Sequence, residues 1–225
     1  MGVVGRVLNL ADMAGLRWSD PNTVKAQMQT PSEHEELVQL IAWIDQNTSG
    51  LSFPTDDRTM LALGCFDVAI EHQAAIALLA SSSLHGSAFA LLRVLTESLV
   101  RGLWLHGCAT DAELEKFKRG KLDKTFAKLI EEFEAKIETP SGVLSNFKAT
   151  AWDALNGFTH TGFHQVSRRH SPGRLEGSYP NHEVAKALGV AGALGLIAAG
   201  QLIAISGKEE LLPLYFAEMS KYAKY

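Results

Sequence analysis

A chain of 225 residues, 46% of them hydrophobic, can bury a sizeable core in one large domain. A formal net charge of −4 and a pI near 6.1 exclude a protein that coats nucleic acid through bulk charge, leaving only a local basic patch for such a role. Two cysteines, Cys65 and Cys108, without a CxxC pattern fit a reducing compartment, and we expect a cytoplasmic protein.

The opening MGVVGRVLNLADMAG lacks the long apolar run of a secretory signal, and Arg6 stands where a myristoylation signal wants Ser or Thr. Residues 1–30 read as an irregular arm and 31–225 as a helical bundle domain. Ser32 to Gln46 begins with a cap and three acids, Glu33, Glu35 and Glu36, the composition of a helix start. Thr55 is expected to cap a long helix reaching Ser83, and a second spans Ser87 to Gly107. Asp111 to Lys136 reads as one amphipathic helix, and Pro140 opens another that carries the histidines. RRHSPGRLEGSYP is a loop, and Asn181–Ser206 and Glu209–Tyr222 close the chain as helices. No run alternates apolar and polar residues long enough for a sheet. The expected architecture is therefore an all-α, single-domain bundle of six to seven helices.

Ala187 to Ser206 is apolar except for Gln201 and is just long enough to span a bilayer. Much of it is Gly and Ala, weak drivers of insertion, with a small-residue stripe at Ala187, Ala191, Gly195 and Ala199 that admits a close backbone. The expectation is a central buried helix rather than a membrane span.

Three constellations carry chemistry. Arg93, Glu97 and Arg101 form a narrow charged stripe on an otherwise Leu-, Val- and Trp-rich helix, so they are either paired or lining a cleft. Asn156–His170, NGFTHTGFHQVSRRH, holds three of the eight histidines. On a continuous helix His160 and His164 project from one face with Asn156. Gly157 and Gly162 flank His160, which makes sense where a helix or ligand approaches the backbone. RRHSPGR, with Arg168, Arg169, His170 and Arg174, is the clearest basic cluster. One reading makes a histidine the acid or base on a phosphate ester, with Arg93 or Arg101 holding the phosphate. A second makes His160, His164 and Glu97 ligands of a divalent metal, without the glutamate of HExxH. A third is a non-enzymatic interaction module with a structural Arg–Glu–Arg ladder and histidines bonded to neighbouring helices. No phosphate-binding glycine loop and no GxSxG elbow is present.

The all-helical layout and two elements, LLRVLTESLVRGLWL and THTGFHQ, resemble the HEPN superfamily and its abortive-infection-like relatives. The resemblance implies a metal-independent ribonuclease of a toxin or antiviral defence system, working as a homodimer without a cofactor. Arg101–His106, RGLWLH, matches the family spacing of Arg, four to six residues, then His, with Gly102 where a polar residue is usual. The candidate catalytic residues are then Arg93, Glu97, Arg101, His106, His160 and His164, and the candidate substrate-binding residues are Asn156, Gln165, Arg168 and Arg169. RNA and a cognate antitoxin or defence protein are the implied partners. In that mechanism one histidine deprotonates an RNA 2′-hydroxyl, an arginine stabilises the phosphate charge, and a second histidine protonates the departing oxygen.

Overall fold

The structure, a computed structural model, describes residues 32–137 and 142–222, so the arm at 1–30 and Pro140 lie outside the described residues. Helix α1 (Glu33–Thr48) opens on a reciprocal cap: the Glu35 N–H donates to the Ser32 hydroxyl, and the Ser32 N–H donates to the Glu35 carboxylate at 2.8 Å. Helix α2 (Asp57–Ser81) is capped by Asp56 rather than Thr55. The Asp56 carboxylate accepts the Thr59 N–H at 3.0 Å, and this bond holds it below the usual carboxylate range. After a turn at 82–84, α3 (His85–Gly107) runs back antiparallel to α2. Arg58, in the first turn of α2, donates to the Leu105 and Ala109 carbonyls at the far end of α3.

The single helix expected over Asp111–Lys136 is two, α4 (Asp111–Lys118) and α5 (Phe126–Glu134). Gly120, at φ 64°, closes α4 in a left-handed turn, and Thr125 caps the next start. Helix α6 (Val143–Thr159) runs back along α3, then comes a single helical turn, α7 (Phe163–Val166). The expected loop after it is an irregular stretch to Pro180, pinned by a bridge between Ser171 and Arg174. Helix α8 (Asn181–Ser206), a short 3-10 turn at Glu209–Leu211 and α9 (Leu212–Tyr222) complete the chain. The described residues thus hold nine α-helices and no strand, an all-α bundle with more elements than the six or seven expected.

α8 is the central element and packs on α1, α2, α3 and α9. It and α2 are both long and apolar enough to cross a membrane, at mean hydropathies of 2.0 and 1.4. Burial inside the bundle takes up 78% of the apolar stretch of α8 and 39% of that of α2. The glycine hollows of α8 receive long side chains rather than another backbone. Gln73 of α2 fills the space at Gly195, Tyr222 the space at Gly192, and Tyr215 the space at Gly200. A smaller cluster of Leu40, Ile44, Leu196, Ala199, Ile203 and Tyr215 joins α1, α8 and α9.

Candidate functional site

The histidine segment departs from the continuous helix that its spacing suggests. Helix α6 stops at Thr159, His160 is its C-cap, and Thr161 turns left-handed at φ 55°. The Gly162 N–H then reaches back to the Gly157 carbonyl at 2.7 Å, the bond of a Schellman stop. His160 and His164 therefore do not share a helix face. The two glycines serve the chain's own reversal. A Cβ on Gly162 would stand 3.0 Å from the Gly157 Cα, and one on Gly157 would meet the His164 side chain at 2.9 Å. The low helix propensity of both glycines is what lets this stop form.

The reversal delivers His160 to Arg93. The Thr159 hydroxyl donates to the Ala90 carbonyl at 3.2 Å, docking the end of α6 on α3 one turn from Arg93. Arg93 Nη1 contacts His160 Nε2, and Arg93 Nη2 donates to Glu97 Oε1 at 2.9 Å. Arginine has no acceptor, so Nε2 accepts and the imidazole proton sits on Nδ1 in this contact. The guanidinium also lies over Trp152, 5.2 Å from the ring centroid, and Trp152 stacks on Phe126 at 4.0 Å. Glu97 of α3, Trp152 of α6 and the C-cap His160 thus converge on one arginine, whose Nε is buried without a partner, and Phe126 of α5 backs the Trp152 ring. The Arg93 and Glu97 side chains retain 19% and 23% exposure and His160 is exposed, so the cluster is open to a ligand on the His160 side.

The other expected site residues separate into three groups. Arg101 and His106 stay with α2 at the far end of α3. Arg101 lies near Cys65, whose thiol burial pushes up while the guanidinium acts the opposite way. His106 sits beside Arg58 and Asp56, and burial first, then the Arg58 charge, lower its pKa. Thirteen residues of helix put it about 20 Å along the axis from Arg93. Gly102, between them, gives room to Phe66, because a Cβ there would stand 2.6 Å from the ring. Arg168 is consumed in structure, paired with Glu183 at 2.6 Å and lying over Tyr179. Gln165 and Arg169 line a cleft beyond the Thr161 turn, and Asn156 gives its carbonyl to the His160 N–H at 3.0 Å.

Among the described residues, no group of three His, Cys, Asp or Glu side chains is placed to hold a metal ion. The guanidinium of Arg93 bridges Glu97 and His160 instead. The Arg–Glu–Arg ladder is closed on one side only, because Glu97 pairs with Arg93. Trp152 was legible as a neighbour of this cluster, standing four and eight residues before Asn156 and His160 on one helix face. Ser83, Ser87 and Thr161, which line the cleft, carried no signal, since nothing local marks a serine or threonine for a left-handed turn.

A family model, Family of unknown function (DUF6988), matches residues 66–222, a span that holds Arg93, Glu97, His160 and the cleft. No curated protein and no solved structure matches the chain.

Proposed function

The chain belongs to the Family of unknown function (DUF6988), and we propose for it the role of an HEPN-like ribonuclease of a toxin or antiviral defence system, acting on an RNA phosphate ester at Arg93, Glu97 and His160. The observation that carries this reading is the contact between Arg93 and the exposed His160, which brings a guanidinium and an imidazole together across 67 residues of sequence. A phosphate oxygen is a stronger acceptor for a guanidinium than a neutral imidazole is. RNA binding therefore draws Arg93 Nη1 onto the phosphate and frees the His160 Nε2 lone pair, which takes the proton from the 2′-hydroxyl. Glu97 keeps the other arm of Arg93 in place, so the guanidinium swings rather than leaves. Protonation of the departing oxygen needs a second acid, which a homodimer supplies from its other protomer.

The test is cleavage of total RNA between pH 6 and 8 with a chelator present. Cleavage by wild type and a loss of about 10²-fold or more in His160→Gln, the usual worth of a positioned acid–base group, is the expected result. No cleavage, or cleavage by His160→Gln equal to wild type, overturns the reading. A second reading is favoured by Arg93 itself, whose contacts with Glu97, His160 and Trp152 also describe a clamp between α3 and α6. Under that reading Arg93→Ala and His160→Ala lower the melting temperature together and RNA stays intact.

A further inference from the structure

Beyond the Thr161 turn lies a cleft of about 330 Å³, at the small end of ligand-sized pockets. Its polar lining is Ser83, Ser87, Thr161, Gln165 and Arg169, with Leu84 and Val166 as apolar flanks. No carboxylate lines it, so its one formal charge is the arginine's. Among the described residues, the three hydroxyls and the Arg169 guanidinium have no hydrogen-bond or ion-pair partner, and Gln165 makes only a long bond of 3.4 Å to the Gly86 carbonyl. The donors needed by an anionic, hydroxylated ligand are thus gathered in one place and uncommitted.

A second observation is independent of that chemistry. Among the described residues only two non-glycine residues have positive φ, Ser83 at 58° and Thr161 at 55°, and both line this cleft. Each occupies the left-handed position of a Schellman stop, with Leu84 N–H bonded to the Leu79 carbonyl and Gly162 N–H to that of Gly157. At the equivalent position α4 uses Gly120 and α8 is followed by Gly207. Glycine is the easier residue in that conformation, and a β-branched threonine is among the hardest. Two helices thus end on strained, hydroxyl-bearing residues that line one space.

We infer that this cleft is a subsite for a ribose phosphate, in which Arg169 receives the phosphate and the Ser83, Ser87 and Thr161 hydroxyls and Gln165 receive the remaining phosphate and sugar oxygens. His160 precedes Thr161 directly in the chain, and Gly86 of the cleft lies seven residues before Arg93 on α3, about 10 Å along the helix axis. The inference rests on the RNA reading for the ribose and not for the anion. The ligand chemistry has two sources, a free nucleotide or a phosphate within an RNA strand.

Calorimetric titration with uridine 3′-monophosphate and with a short single-stranded oligoribonucleotide tests it, using wild type, Arg169→Gln, Thr161→Gly and His160→Gln. Arg169 is exposed, so its variant folds. Wild type is expected to bind, and Arg169→Gln to bind about tenfold or more weakly, the worth of one charge-assisted hydrogen bond. Thr161→Gly is expected to weaken binding while its melting temperature holds or rises, an outcome a purely structural threonine would not produce. Binding of both ligands supports a site open to free nucleotides, and binding of the oligoribonucleotide alone supports a strand subsite. Failure of both to bind, or an Arg169→Gln affinity equal to wild type, overturns the inference. Binding by His160→Gln at wild-type strength without cleavage by any variant leaves the subsite standing and removes the ribonuclease reading.

Discussion

Thr161 and Ser83 hold left-handed backbone that costs a non-glycine residue about 1–2 kcal/mol. Replacing either by glycine relieves that strain but adds about 0.4–1 kcal/mol of unfolded-chain entropy to be overcome. The relief outweighs the entropy, most of all for β-branched Thr161. Thr161→Gly should therefore stabilise the fold by about 0.5–1 kcal/mol, read as a higher urea midpoint at unchanged slope. His160 shows the opposite relation between sequence and structure. It stands out in the sequence by the density of histidines around it, yet its partner is not His164 but Arg93, 67 residues earlier. The exposed His164 lies against Gly157 instead, because the chain reverses between them.

Among the helices, the packing of α2 on α3 uses Gly102. Phe66 is fully buried, and its Cε1 would stand 2.6 Å from a Cβ at 102. Alanine there gains about 1 kcal/mol of helix propensity. It also overpacks the interface, at about 1–3 kcal/mol. The clash wins because both sides are rigid: Gly102→Ala should lower the melting temperature, and adding Phe66→Leu should restore most of the loss. A rise for the single variant would mean that the helices slide apart freely. The same glycine is the second residue of RGLWLH. That position answers to an aromatic ring on α2, so a polar residue has no room there.

At the level of the whole molecule, one charge network ties α3, α4 and α5 together. Lys124 lies between Glu113 at 2.6 Å and Glu132 at 2.5 Å and stands 4.7 Å from the Trp104 ring centroid, while the Trp104 N–H donates to Glu132 at 2.7 Å. The hydrogen bond from Lys124, with the Thr110 N–H, holds Glu113 at about 2 against an ordinary 4.5. A carboxylate lowered in the folded state stabilises the fold above its unfolded pKa, and the contribution disappears as pH falls through the folded one. Stability should therefore decline between about pH 4.5 and 2, and Glu113→Gln should be less stable at pH 7 with a flatter acid limb. Equal slopes for both proteins in urea melts across that range would remove Glu113 as the cause.

Most helix positions, the irregular loop after the histidines and the buried character of α8 were legible in local pattern, because caps, periodicity and apolar runs act through neighbours in sequence. Arg93, Glu97 and the histidine segment stood out for the same reason: charges on an apolar helix and clustered imidazoles are visible without coordinates. The break of Asp111–Lys136 and the reversal at Thr161 also had local marks, Gly120 with Thr125 and Gly157 with Gly162, and the separation of His106 from Arg93 follows from their spacing on one helix. The packing of Phe66 on Gly102, the contact of Arg93 with His160 and the diversion of Arg168 to Glu183 were decided by tertiary structure alone. Each depends on which distant group fills the space opposite, whether Phe66 against Gly102 or Arg93 against His160. Sequence spacing carries no distance between helices, so it could mark the groups that need partners but not assign the partner each one found.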